Sequence, residues 1–215
     1  MTTSSNHSLA PDSLAKKAVA LRYWLLGRGY TSAALAMDFA ASYHSGVRKD
    51  QITPEFSHQV AIASHLRTQA ASLMHPQETI TVSFCHDLRE DYNVSDTEIR
   101  SMFGDRVANA VDALTKEYRG TRRDEIELFA NMAHDPIASV VKPADRIHNH
   151  STLLGVFSGD KIKEYVAETR SLVLPMLKAA RRNFPSQEPV YEALGLVLST
   201  QLPLLDFVAL KSTPS

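Results

Sequence analysis

Apolar residues recur at three- and four-residue intervals through most of this chain, in runs such as LAKKAVALRYWLL and SAALAMDFAASY. That spacing follows the turn of a helix rather than the alternation of a strand, so one face of each run can be buried. Hairpin dipeptides such as Asn-Gly are missing and the chain has only 8 glycines, which leaves few tight turns between strands. An all-α fold is expected.

Helix start and stop signals divide the chain. Asp12 can cap a first helix that closes at Gly27 and Gly29, and Thr31 a second that closes at Gly46. After the basic loop VRKDQI, Thr53, Pro54 and Glu55 read as an N-cap, a proline at the first helical position and an early acid, giving a helix up to His75-Pro76 with His58 in its second turn. Residues 78–90 stay open, because Thr79, Ile80, Thr81 and Val82 are β-branched and favour a strand by propensity. Ser95 and Glu98 form a capping box, Asp105 can start a helix through Tyr118, and Asp135 can cap the helix opened by Pro136. Helices over 159–184, kinked at Pro175, and over 187–206 follow. A hydrophobic content of 44% over 215 residues suffices for a single domain over 11–206, with residues 1–10 frayed and 207–215 a tail.

A net charge of -1 supplies no general attraction to a nucleic-acid polymer or an anionic membrane, so a phosphate ligand must be held by local bases. The single Cys85 excludes an internal disulfide, and the polar start MTTSSNHSLAPDS has no signal-peptide core, so a cytoplasmic location is expected. The segment LGLVLSTQLPLLDFVAL carries Gln201, Pro203 and Asp206 and is read as a core or partner-facing helix rather than a bilayer span. Trp24 is expected in the core, and Cys85 as a small buried filler.

Chemistry concentrates in TVSFCHDLREDYNVS. If residues 86–91 are helical, His86, Asp87, Glu90 and Asp91 share a face about 140° wide, and such a face can hold a cation and handle a proton. An exposed acidic helix end would look the same. A His-Asp pair supplies only two ligands, and His58, 28 residues before His86, and Asp145, 58 residues after Asp87, are available to complete a set. Asn149 lies one turn after Asp145 on the same helical face.

In order along the chain, RKD, TPEFSH, HDLRED and KPADRIHN resemble the HD superfamily of metal-dependent phosphohydrolases. The likeness is closest to the hydrolase domain of the RelA/SpoT alarmone enzymes and their small Mesh-type relatives, and spans residues 35–155. The resemblance implies a compact helical bundle with core motifs within 44–155 and additional C-terminal helices over 159–206. It implies that His58, His86, Asp87 and Asp145 bind one divalent cation, commonly Mn2+, with Fe, Zn or Co as other occupants of such a donor set. Glu90 and Asp91 are implied to position the attacking water and accept its proton, and Arg48, Lys49, Asn149 and His148 to bind substrate. By contrast His134-Asp135 has no acids after it and reads as a helix start, His44 as a helix-end residue, and Arg119, Arg122 and Arg123 as exposed loop cations.

The implied activity is removal of the 3′-pyrophosphate from ppGpp or pppGpp, giving GDP or GTP and pyrophosphate. An HD-type triphosphohydrolase acting on a deoxynucleoside triphosphate such as dATP is the alternative, and an idle nucleotide sensor a third reading that Glu90 and Asp91 speak against. No synthetase motif follows, so degradation alone is expected. Glu55-Phe56 replaces the family's aromatic-aliphatic pair, Pro143 replaces an aliphatic residue beside Asp145, and about 60 residues after the matched region are free to cover the pocket or to form the face of a homo-oligomer.

Overall fold

The segment whose residues favour a strand forms the central helix. In the structure, a computed structural model that describes residues 11–211, the order is α1 (Pro11–Gly27), α2 (Thr31–Tyr43), α3 (Ser57–Arg67), α4 (Pro76–Cys85), α5 (Leu88–Tyr92), α6 (Asp96–Phe103) and α7 (Asp105–Leu114). A hairpin of β1 (Glu117–Tyr118) and β2 (Thr121–Arg122) leads to α8 (Glu125–Met132), α9 (Ala138–Ser151), α10 (Gly159–Glu168), α11 (Leu174–Asn183) and α12 (Glu188–Lys211). The all-α expectation holds. Residues 1–10, expected to be frayed, lie outside the described residues, as do residues 212–215 of the expected tail.

Helix α4 packs against α2, α3, α7 and α9, and every side chain from Thr79 to Cys85 is buried. Pro76 at its start and this all-round burial outweigh β-branching, which costs only a few tenths of a kcal/mol per residue. Its hydroxyls are satisfied inside the helix: Thr79 donates to the His75 carbonyl at 2.7 Å, Thr81 to Gln77 at 2.8 Å and Ser83 to Ile80 at 2.7 Å. Cys85 is buried and unpaired, and burial pushes its thiol pKa up, as suits a filler.

Several expected boundaries move for identifiable reasons. Helix α3 starts at Ser57 because Thr53 and Pro54 run alongside the preceding loop, with a Val47–Pro54 bridge and Glu55 N donating to the Gly46 carbonyl at 2.9 Å. His58 is therefore in the first turn, not the second. The same helix stops at Arg67, and a 3-10 turn, Ala70–Ser72, fills the gap before α4. Asp12, expected as a cap, falls inside α1. The helix expected to reach Tyr118 ends at Leu114; Arg119 (φ 50°) and Gly120 (φ 77°) then turn the chain left-handed into the hairpin, where the Arg89 guanidinium lies 4.6 Å from the Tyr118 ring. Trp24 is half-buried at the rim of the core, edge-on to Tyr30. The Ser95 cap is as expected, accepting from Glu98 N at 3.1 Å, and Asp135 accepts from Ile137 N and Ala138 N.

Helix α12 takes part in two apolar clusters. Tyr191, Leu194 and Leu198 of α12 join the main apolar cluster, while Leu202, Leu205 and Ala209 pack with Leu153, Ile162 and Val166 in a second one. Gln187, wholly buried, donates to the Pro136 carbonyl and to Tyr191 Oη, both at 2.8 Å, and accepts from Met74 N at 3.1 Å. Between α10 and α11 a π-helical turn, Thr169–Val173, shifts the register just before Pro175, so the expected kink is absorbed without ending the helix. Helix α12 continues past Pro203 and the expected end at 206, as far as Lys211. By length and composition the Pro185–Lys211 span is long and apolar enough to cross a membrane; one of its faces packs on α9, α10 and α11, and the other exposes Leu196, Leu204, Phe207 and Leu210.

Candidate functional site

Three parts of the core deliver four side chains to one point. His58 comes from the first turn of α3, His86 and Asp87 from the turn joining α4 to α5, and Asp145 from the middle of α9. His58 Nε2 lies 3.2 Å from Asp145 Oδ1 and 3.8 Å from Asp87 Oδ2; His86 Nε2 lies 2.9 Å from Asp87 Oδ2 and 3.9 Å from Asp145 Oδ1. His58, His86 and Asp145 are buried and offer donor atoms within 4.8 Å of one another, the spacing of a cation site. Asp87, half-buried, borders the same point.

The donor chemistry fits a cation. His86 Nδ1 is 3.0 Å from the Ser83 carbonyl, which requires an N–H there and leaves Nε2 to face the cluster. That Nε2 is buried and stands beside the carboxylates of Asp87 and Asp145, so a cation among them would meet a nitrogen donor and two carboxylates at once. Burial disfavours a charged His86, but Asp87 and then Asp145 more than offset it and raise its pKa to about 9. Burial likewise opposes charge on Asp145, yet Lys142 and His58 hold its carboxyl well below the usual range. The cluster thus collects positive charge around its carboxylates, the role a metal ion fills.

Helix α9 organises the surroundings. Lys142, one turn before Asp145, places Nζ 3.1 Å from Asp145 Oδ2, and Asn149, one turn after, donates Nδ2 to Asp145 Oδ1 at 2.6 Å. Asn149 Oδ1 in turn accepts from Arg48 Nη2 at 3.3 Å, as does Thr152 Oγ1. Pro143 does not disturb this face: α9 runs unbroken from Ala138 to Ser151.

A cleft of about 340 Å³ opens over the cluster, lined by Asp87, Asp91, Asp145 and His58 together with Arg48, Lys49, Asn149 and Phe157. Asp50 shapes the basic loop by accepting from Ile52 N at 3.0 Å and Thr53 N at 2.8 Å. Phe157 and Tyr165, from the segment after the matched motifs, close one wall, and Lys49 Nζ sits 5.2 Å from the Phe157 ring. Burial, with the charges of Asp87 and Glu90, raises the Asp91 pKa to about 6.

Three expectations need correction or refinement. Glu90 and Asp91 do not share one opening: Glu90 lines a separate cavity of about 80 Å³ beside His86 and Asp87, and accepts from Lys116 N at 3.0 Å. Adjacent residues of one helix point about 100° apart, so the two side chains leave α5 in different directions. His148, expected to bind substrate, does not border the main cleft; it lies behind His58, with the two Nδ1 atoms 2.7 Å apart. Glu55, the departure from the family pattern, faces the cleft and accepts from Tyr92 Oη at 2.8 Å, while Phe56 stacks on Phe84 in the core.

Lys142 and His44 are two of the cleft residues that were missed. Lys142 borders both cavities, and its place three positions before Asp145, on the same helical face, was the available signal. His44 is buried, lines the cleft and carries an Nε2 without a hydrogen bond; it precedes the basic loop but looked like an ordinary helix end. Arg122 and Arg123 instead pair with Glu125 and Asp112, and Arg119 lies over Tyr118, so none of these three reaches the cleft.

Comparison with known proteins agrees with this geometry. A family model described as HD domain matches residues 36–182. A Synechocystis protein named "probable guanosine-3′,5′-bis(diphosphate) 3′-pyrophosphohydrolase" is 32% identical over 149 residues, covering 66% of this chain and 19% of that one. A guanosine-3′,5′-bis(diphosphate) 3′-pyrophosphohydrolase of Aquifex aeolicus is 31% identical over 146 residues, covering 66% and 20%. A GTP pyrophosphokinase of Brucella ovis is 29% identical over 147 residues, covering 64% and 19%. The chain thus spans about a fifth of the length of these curated relatives.

Proposed function

Because this chain belongs to the HD domain family, we propose that it is a divalent-cation-dependent phosphohydrolase whose substrate is ppGpp or pppGpp, cleaved to pyrophosphate and GDP or GTP. The observation that carries this reading is the convergence of His58, His86 and Asp145, with Asp87 beside them, at a cleft that Arg48 and Lys49 also line. The relatives' names favour the 3′-pyrophosphate of a guanosine bis(diphosphate) over a deoxynucleoside triphosphate. A cytoplasmic location and a small-molecule nucleotide partner belong to the same reading.

In this proposal His58, His86, Asp87 and Asp145 hold one cation, Mn2+ being the occupant we favour for two imidazoles and two carboxylates. When bound, such an ion supplies water activation at neutral pH and neutralises charge on the reacting phosphate. Arg48 and Lys49 bind phosphate oxygens, and Asn149 holds Arg48 and Asp145 at a fixed separation. Asp91, on the cleft side with its pKa near 6, is placed to accept the proton of the attacking water, and Glu90 reaches the same centre from the adjoining cavity. Phe157 offers an apolar surface for a base or ribose in the lining of the cleft.

The test is incubation with Mn2+ and a panel of ppGpp, pppGpp and dATP, with products identified. Pyrophosphate with GDP or GTP is the expected result. Triphosphate from dATP with ppGpp untouched would replace the substrate assignment, and turnover of none would remove the enzymatic reading.

A further inference from the structure

We propose that His148 is a positioning residue which fixes the ring tautomer of His58 and so presets the cation site; this rests on the reading of His58 as a cation ligand. The two Nδ1 atoms stand 2.7 Å apart, with ring centroids separated by 4.8 Å at 57°. At that distance one proton, and only one, belongs between two neutral imidazoles, since two would collide and none would leave two lone pairs facing each other. His58 Nε2 points at Asp145 Oδ1, 3.2 Å away, within the donor cluster. If Nε2 is to offer its lone pair there, the ring's hydrogen must be on Nδ1, and His148 Nδ1 must be the acceptor.

His86 shows the same logic with a more ordinary partner: its Nδ1 faces the Ser83 carbonyl, which can only accept. The main chain thus fixes one imidazole and a side chain fixes the other. A carbonyl is held by its helix, but His148 is an ordinary side chain on α9, three positions after Asp145. One helix therefore carries both a ligand and the group that orients a second ligand from α3, so a shift of α9 would disturb both together. His58 has little freedom to compensate, because it is buried, and His148, half-buried, sits against it away from the main cleft. Outer partners of metal-bound histidines are worth about 10- to 100-fold in metal affinity.

The experiment measures Mn2+ affinity by calorimetry on full-length His148→Phe, His148→Asn and His58→Ala, alongside long-range proton–nitrogen NMR of the histidine rings. Phe keeps a ring of similar size but has no acceptor; Asn returns an acceptor oxygen near the position of Nδ1. Affinity should fall about 10- to 100-fold in the Phe variant and return most of the way in the Asn variant. His58 should read as the Nδ1–H tautomer in the wild type and the Asn variant, and lose that preference in the Phe variant, with melting temperatures as a check on folding. Unchanged affinity and tautomer in His148→Phe, with cation binding lost in His58→Ala, would overturn this inference alone. Undiminished binding in His58→Ala would instead overturn the ligand assignment on which it stands.

Discussion

Replacing Gln187 by Leu should destabilise the whole chain as one unit. The side chain is wholly buried and makes three hydrogen bonds, to the Pro136 carbonyl, Tyr191 Oη and Met74 N, which join the start of α9, helix α12 and the approach to α4. Leu has a similar volume, so packing changes little and the loss is mainly polar. At about 1 kcal/mol net for each bond the cost is about 3 kcal/mol. Tyr191 keeps its contact with Ser139 Oγ at 2.8 Å, and Met74 is exposed enough for its N–H to be hydrated, so stranded groups add little. For a chain of this size about 3 kcal/mol lowers the melting temperature by about 6–12 °C. Circular dichroism at 222 nm, scanned with temperature, should show one transition displaced by that amount. A displacement within error, or a second transition at lower temperature from independent melting of the C-terminal helices, would refute the view that residues 11–211 unfold as one unit.

Glu90→Gln and Asp91→Asn should each keep Mn2+ binding, read by calorimetry, while losing at least about 100-fold in turnover, the usual scale for a general base; full activity in either would remove that carboxylate from the chemistry. Arg48→Ala should lower kcat/KM for ppGpp by about 10- to 100-fold, the value of a charge-assisted phosphate contact, in steady-state assays of pyrophosphate release. His150 gives a pH dependence of stability. Burial, then the Arg146 charge, depresses its pKa from 6.5 to about 4, so between these values the unfolded chain takes up a proton that the folded one does not. This contribution, ~3 kcal/mol at most, is complete above pH 6.5 and is lost as pH falls towards about 4. Urea denaturation at pH 7 and pH 4.5 should show a smaller difference for His150→Gln than for the wild type, and equal differences would exclude His150 as a source.

The sequence was most legible where the chemistry is local. Ser95 with Glu98, and Asp135 before α9, act through bonds to backbone groups a few positions away, and each behaves in the fold as its residue type suggests. The four expected ligands were found by their type and order, and they meet in space. What was illegible depends on distant partners. Thr79 to Val82 are helical because four other helices bury them, and the 117–122 hairpin forms where Arg89, almost thirty positions earlier, covers Tyr118. His148 was misplaced by a similar margin: its spacing on α9 gave the correct neighbourhood, but only the packing of α3 shows it behind His58 rather than in the cleft. Glu90 and Asp91 line different cavities because adjacent positions of α5 point about 100° apart, and only the packing of α5 decides which of them faces the cleft.

Diffraction from crystals grown with Mn2+, with anomalous differences collected at the manganese edge, tests the central claim most directly. One peak is predicted, within coordinating distance of His58 Nε2, His86 Nε2, Asp87 and Asp145, and absent in crystals of Asp145→Ala. A peak elsewhere, or none at saturating Mn2+, would contradict it.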